Sequence, residues 1–324
     1  MSSAPVRATL TVHRYTAEQL VVWNNFIDQS SNGTFLFRRE YMDYHKDRFE
    51  DFSYLIWKEK ELLAVFIAGR AWNTSEPTTL IAHPGLTYGG LVNTSELKFS
   101  LLTEVYNALL DTVRAEGFVR LRIKPVARVF CRQPNEASLF YFHQHGFELV
   151  GRELNSVIDL KQPIRISKGR KDNVRKARNA GLLINTSSDF GEFWPLLVDN
   201  LWRTHGVRPP HSEAEIQLLQ QRFPDRIKLY AAWYQGTIVG GVLLFLDNIH
   251  GFAHTQYISA NEQGKQLGAV DAIIAQVLID IQGQLPRFSF GISTAKGELN
   301  SGLLSQKEGF GATVEMMDVY EKLL

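Results

Sequence analysis

One pattern of apolar runs and turns occurs twice along this 324-residue chain, and this repetition limits the possible folds more than any other feature. Residues 54–69 read YLIWKEKELLAVFIAG, two apolar strands around a polar turn. Residues 229–246 read LYAAWYQGTIVGGVLLFL, again two strands around a turn, with Trp57 and Trp233 standing just before the respective turns. A third strand follows each hairpin, at 80–92 and 251–259, then an amphipathic helix near 96–116 and 265–283. Short strands at 120–124 and 288–292 come next, then second helices ending at Gly146-Phe147 and Gly309-Phe310. Strands at 148–160 and 313–323 close the two copies. The order β-hairpin, β, α, β, α, β predicts an α/β chain of α+β type, with a mostly antiparallel mixed sheet flanked by helices in each copy. The expected domains are 1–162 and 163–324, each long enough to bury its own core.

Charge and cysteine content narrow the function classes. Lys and Arg number 35 against 34 Asp and Glu, so the chain is no general nucleic-acid coat, although a local basic patch remains open. Cys131 is the single cysteine, which excludes an intramolecular disulfide framework, a thiolate zinc cluster and a CxxC redox pair. His250 and His254 stand at i, i+4 with no third ligand type clustered nearby, so no metal site is expected. The first residues, MSSAPVRATLTVHRY, lack the n- and h-regions of a signal peptide. The longest apolar run, Ile238–Leu246, is half the length of a spanning helix. The expectation is a soluble cytoplasmic protein without a membrane span.

The second copy carries a resemblance. Its run HTQYISANEQGKQLGAVDAIIAQVLID, followed by FSFGIST and LNSGLLSQKEGFGA, looks like the GNAT-like domains of the FemAB/BioF2-type group. The segment GRKDNVRKARNAG at 169–181 resembles the basic helix that opens the second domain of Fem-type proteins. The resemblance extends from about Thr11 to Leu323. It implies two tandem GNAT-like domains and acyl transfer. GNAT enzymes mostly draw the acyl group from CoA, whereas Fem-type ligases draw an aminoacyl group from aminoacyl-tRNA. The implied activity is N-acyl transfer, from acetyl-CoA or another acyl-CoA co-substrate, to an amine-bearing small molecule or an envelope or amino-sugar precursor. The alternatives are a tRNA-dependent aminoacyl ligase and a non-catalytic ligand-binding protein.

A donor loop in such a domain offers backbone N–H groups at a helix start, with glycines that permit close approach. The matching residues are Gln263, Gly264, Lys265, Gly268 and Ala269; Val270 replaces the last small residue of the family pattern. The same stretch also reads as a plain glycine turn before a core helix. The first copy has Asn93-Thr94-Ser95 there, an N-cap without glycine, so the donor site is expected only in the second copy.

Acyl transfer to an amine requires removal of a proton and stabilisation of the carbonyl oxygen. His254 and Tyr257 precede the donor loop, His254 being a neutral-pH base by its ordinary pKa or a hydrogen-bonded sheet residue. Their odd spacing sends them to opposite faces of a strand unless a bulge intervenes. Ser293 and Asn300 are further catalytic candidates; Lys307 and Glu308 read as a solvated helix end. Direct transfer in a ternary complex is expected, since Cys131 lies far along the chain from the donor loop.

Six basic residues and one acid lie between Lys168 and Arg178. Lys171, Arg175 and Arg178 share a helical face that could hold phosphates of a substrate or of tRNA, or could simply be solvated. Tyr88, in the break His83-Pro84-Gly85-Leu86-Thr87-Tyr88-Gly89-Gly90, and Arg38 and Tyr41 are candidate substrate contacts. His211 is another, in a loop where Ser212 and Glu215 also form a capping box.

Overall fold

The computed structural model describes residues 10–71, 74–82, 84–295 and 297–324. His83 lies outside the described residues. The chain forms two compact units that do not coincide with its two halves: one joins 1–152 to 316–324, and the other is 153–315. A division at 162/163 therefore differs from the structure at two places, because part of each closing strand pairs within the unit built mainly from the other half of the chain.

The first unit contains strands β1 (Leu10–Arg14), β2 (Phe49–Asp51), β3 (Tyr54–Lys58), β4 (Glu61–Ile67), β5 (Gly69–Ala71), β6 (Thr79–Ala82), β7 (Gly90–Asn93) and β8 (Arg120–Ile123). Its helices are α1 (Leu20–Gln29), α2 (Arg39–Met42), α3 (Phe99–Ala115) and α4 (Ala137–Gln144). β9 (Glu148–Asp159) begins here and ends in the second unit. The second unit continues with α5 (Lys168–Asn179), β10 (Leu183–Ser187), α6 (Phe190–His205), α7 (Glu213–Arg222), β11 (Ile227–Tyr234), β12 (Thr237–Asp247) and β13 (Phe252–Ala260). It goes on through α8 (Glu262–Leu267), α9 (Ala269–Ile281), β14 (Arg287–Ile292), β15 (Thr294–Ala295), β16 (Glu298–Leu299) and α10 (Ser301–Glu308). β17 (Thr313–Leu323) starts there and finishes in the first unit.

The two hairpins share their fine structure. Lys58 pairs with Glu61 and Tyr234 with Thr237, so each turn has two residues, and both first turn residues, Glu59 (φ 55°) and Gln235 (φ 51°), are left-handed. Such turns match the twist of the flanking strands. Each hairpin then carries a bulge at the same offset: Trp57 pairs with Leu62 and Ile56 with Ala64, while Trp233 pairs with Ile238 and Ala232 with Gly240.

In the first unit β1, β3, β4 and β7 form one antiparallel sheet. The third-strand segment is divided: β7 stays beside β4, whereas β6 runs parallel to β8, which also pairs with residues 320–323 of β17. Helix α3 buries Leu102, Val105, Tyr106, Leu109 and Val113 against this core. In the second unit β10, β11, β12 and β13 are antiparallel neighbours, β14 joins β13 in parallel, and residues 155–159 of β9 pair antiparallel with β14. Both units thus have the mixed α/β architecture expected from the repeat. Helix α9 buries Ile273, Ile274, Val277 and Leu278 against one face of that sheet. Helix α6 covers the other: a Cβ on Gly241 would meet the Phe193 ring, while one on its neighbour Gly240 would meet Ala269.

Candidate active site

Two bulges open the second unit's sheet. β13 pairs with β14 only at Ala253–Phe288 and His254–Ser289, and beyond these pairs the facing edges no longer bond each other. Gln256 is an extra residue on β13, since Tyr257 pairs with Leu243 but Thr255 with Leu244. Phe290 is extra on β14, since Ser289 pairs with Val157 but Gly291 with Ser156. Bulges sharpen local twist, and two side by side divert adjacent strands. The gap forms a cleft of about 440 Å³. Ile258, Ile274, Phe290, Leu303 and Phe310 supply apolar walls, and Arg170, Lys265 and Lys307 bring positive charge.

The β13 bulge also resolves the spacing of His254 and Tyr257. His254 pairs with Phe245 and Tyr257 with Leu243, two positions apart on β12, so both side chains lie on the face covered by α6. The Nδ1 of His254 lies 3.1 Å from the Ser289 hydroxyl, which donates to Asn155 Oδ1 at 3.0 Å. Burial, reinforced by the Lys307 charge, pushes the His254 pKa down to about 4. At neutral pH it is an uncharged, weakly basic sheet residue. Tyr257 instead meets His211: the phenol oxygen and Nδ1 are 2.7 Å apart, and Trp194 packs edge-on against the phenol ring at 5.5 Å. Ser212, capping α7 through Glu215 N, fixes the loop that delivers His211.

Ser293 is fully buried, 3.1 Å from the Ser156 hydroxyl, and Asn300 spends its side chain as the N-cap of α10, accepting from Leu303 N at 2.9 Å. None of His254, Tyr257, Ser293 or Asn300 lines the cleft. Lys307 does line it, and it is no solvated helix end: only 3% exposed, its ammonium donates to the Gly291 and Ile292 carbonyls at 2.9 and 2.7 Å. Burial lowers its pKa to about 8.

The glycine-rich segment is a junction of two helices rather than an open loop. Asn261 caps α8 through Gly264 N, and Gly268, left-handed at φ 79°, separates α8 from α9. Lys265, Gly268 and Ala269 line the cleft; Gln263 lies in a neighbouring groove, and Gly264 is buried beneath the Val239 carbonyl. Helix α5 packs over the start of α9, where Arg170 contacts both Asp271 oxygens at 2.9–3.0 Å and Asn173 donates to one at 2.6 Å. A carboxylate in the first turn also answers the helix dipole.

Lys171, Arg175 and Arg178 are exposed on the outer face of α5, and Arg175 pairs with Asp172. The inward residues of this helix are Arg170, Asn173 and the fully buried Ala177. Their spacing was the available signal, together with Asp271 as the lone acid early in an apolar helix. In the first unit Tyr88 is a core residue, 4.6 Å from the Phe130 ring and edge-on to Phe37. Tyr41 is buried against Phe35, and Arg38 pairs with Asp28 and Glu40. Among the described residues, three or more His, Cys, Asp or Glu side chains nowhere gather in a metal-binding group, and no helix is long and apolar enough to cross a membrane.

No protein-family profile matches the sequence, and no curated protein matches it. Solved structures do. FemX superposes with a TM-score of 0.70 over 97% of each chain at 12% identity. L-PGS from Bacillus licheniformis gives 0.60 over 95% of this chain and 92% of that one, also at 12% identity. A tandem GNAT protein from the clavulanic acid biosynthesis pathway gives 0.57 at 7% identity, over 97% and 98%. The fold is the tandem GNAT fold that FemX also has.

Proposed function

We propose that the second unit is an acyltransferase unit that receives its donor between β13 and β14 and delivers the acyl group to an amine. The observation that carries this reading is the splayed pair of strands. Beyond His254 the backbone edge of β13 no longer pairs with β14 and can pair with the amides of a linear donor arm, as an added strand would, while the apolar walls exclude water. The charges favour an uncharged acyl group on an anionic carrier. Arg170, Lys265 and Lys307 line the cleft against one carboxylate, Asp271, which is bonded to Arg170 and Asn173, while Lys265 pairs with Glu262 outside the lining. A cationic aminoacyl group would find no free counter-charge there. The donor that fits is an acyl-CoA, with acetyl-CoA the simplest case, in a cytosolic reaction on an amine-bearing small molecule or envelope precursor. Cys131 is buried in the first unit, so direct transfer is preferred to an acyl-cysteine intermediate.

Acetyl-CoA should raise the Tm, and Leu303→Trp, which fills the cleft from a half-buried position, should abolish the shift. Gly268 is unsuited to that test because its φ is positive and a Cβ would press on the Asn173 carbonyl. No shift with any acyl-CoA contradicts the reading. The exposed cations of α5 favour a second reading, in which aminoacyl-tRNA is the donor. Reversing Arg175 and Arg178 to Glu would then abolish tRNA binding in a gel-shift assay.

A further inference from the structure

His254 is the obvious histidine for the chemistry, yet its burial beside Lys307 holds it near pKa 4. A group so weakly basic is poorly matched to accept the proton that an attacking amine must lose at neutral pH. The same face of the sheet offers a second histidine. His211 lies 2.7 Å from the Tyr257 hydroxyl, and the two side chains are 6% and 9% exposed. Three independent features fix their geometry: the Gln256 bulge aims Tyr257, the Ser212 capping box anchors the His211 loop, and Trp194 braces the phenol. Tyr257 also shares the α6 face of β13 with Ser259, which bonds the Leu196 carbonyl of α6 and lines the donor cleft.

We infer that Tyr257 and His211 form the proton relay of the reaction, an assignment that rests on the acyl-transfer reading above. The amine nitrogen bonds to the acyl carbon, and the carbon–sulfur bond of the thioester breaks with its electron pair on sulfur. The amine proton passes to the Tyr257 oxygen as the phenol proton passes to His211 Nδ1. The resulting imidazolium later returns its proton to the thiolate or to water, which closes the balance. Tyr257 is the catalytic residue of the pair, and His211, acting through it, is a positioning and proton-holding residue. The relay requires neutral His211 to carry its proton on Nε2, so that Nδ1 accepts from the phenol.

The test uses the full chain with acetyl-CoA and a panel of primary amines, following release of free thiol. Tyr257→Phe should lower kcat by about 100-fold or more with little change in KM for acetyl-CoA. His211→Gln keeps an acceptor for the phenol but cannot take up a proton. It should lose a similar factor and flatten the acid limb of the kcat/KM profile, which a purely structural role would not do. Nitrogen-15 spectra of the wild type should show His211 Nδ1 unprotonated at neutral pH. Full turnover by Tyr257→Phe, or a proton on Nδ1 donated to the phenol, overturns the relay alone. Absence of turnover in the wild type, with every acceptor, overturns the acyl-transfer reading and the relay with it.

Discussion

As far as the third strand, the two units follow the same plan: Trp57 pairs with Leu62 and Trp233 with Ile238, each beside a two-residue turn and one extra residue. They then part. In the first unit the third strand is divided, β7 remaining with β4 and β6 joining β8, with Tyr88 buried between Phe37 and Phe130. In the second unit β13 is continuous and is bent by a bulge instead. A division lets each piece settle into its own sheet, and the helices above can close ranks: Tyr106 stacks on Tyr141 at 4.5 Å beside Phe142, all buried. A bulge keeps the strand bonded to β12 while turning its other edge away from β14, which leaves a cleft beneath α9 and α10. Two extra residues, Gln256 and Phe290, thus separate a unit with an open cleft from one packed with aromatic rings.

The largest expected effect breaks the second unit's frame. A Cβ on Gly264 would lie 2.1 Å from the Val239 carbonyl oxygen, and a backbone carbonyl cannot swing aside as a side chain can. Gly264→Val should cost more than about 3 kcal/mol in urea unfolding. Next comes a matched pair of truncations. Tyr141→Ala in the filled first unit leaves a cavity and should cost about 3–4 kcal/mol. Leu303→Ala at the edge of the open cleft removes a half-buried side chain and should cost about 1 kcal/mol. Equal costs would contradict the contrast between filled and open units.

A subtler contrast concerns the cleft's buried ammonium. The folded pKa of Lys307, about 8, lies below the unfolded value, so between these values the unfolded chain binds more protons. Stability should therefore rise with pH from about 8 to 10 through this group, by up to about 3 kcal/mol, and Lys307→Met should remove the rise. The difference between wild type and variant isolates it from the buried tyrosines, which titrate higher. His254 acts in the acid range with the same sign: its contribution is complete above the unfolded pKa near 6.5 and is lost as pH falls through about 4. His254→Gln should flatten that decline.

Much of the frame was legible in the sequence because it is local. Turn residues, apolar alternation and the Gly-Phe punctuation located both hairpins, and the glycine-rich run around Tyr88 marked the divided strand. What escaped depends on partners distant in sequence. The closing strands each contribute to the unit built from the other half, which no local signal reports. Lys307 sits between Gln306 and Glu308 and reads as surface; only the helix's seat against β14 buries it. Arg170 looked like one of six similar cations until Asp271 supplied its partner across about a hundred residues. Glycines at 264 and 268 suggested a loop, whereas Asn261 capping turned the first of them into helix.

Hydrogen exchange with and without acetyl-CoA tests the central claim most directly, that the donor binds in the second unit alone. Added protection should fall on residues 256–274 and 303–310, with α3 and α4 of the first unit unchanged. Protection concentrated on 99–115 and 137–144, with none along β13 and α9, would contradict it.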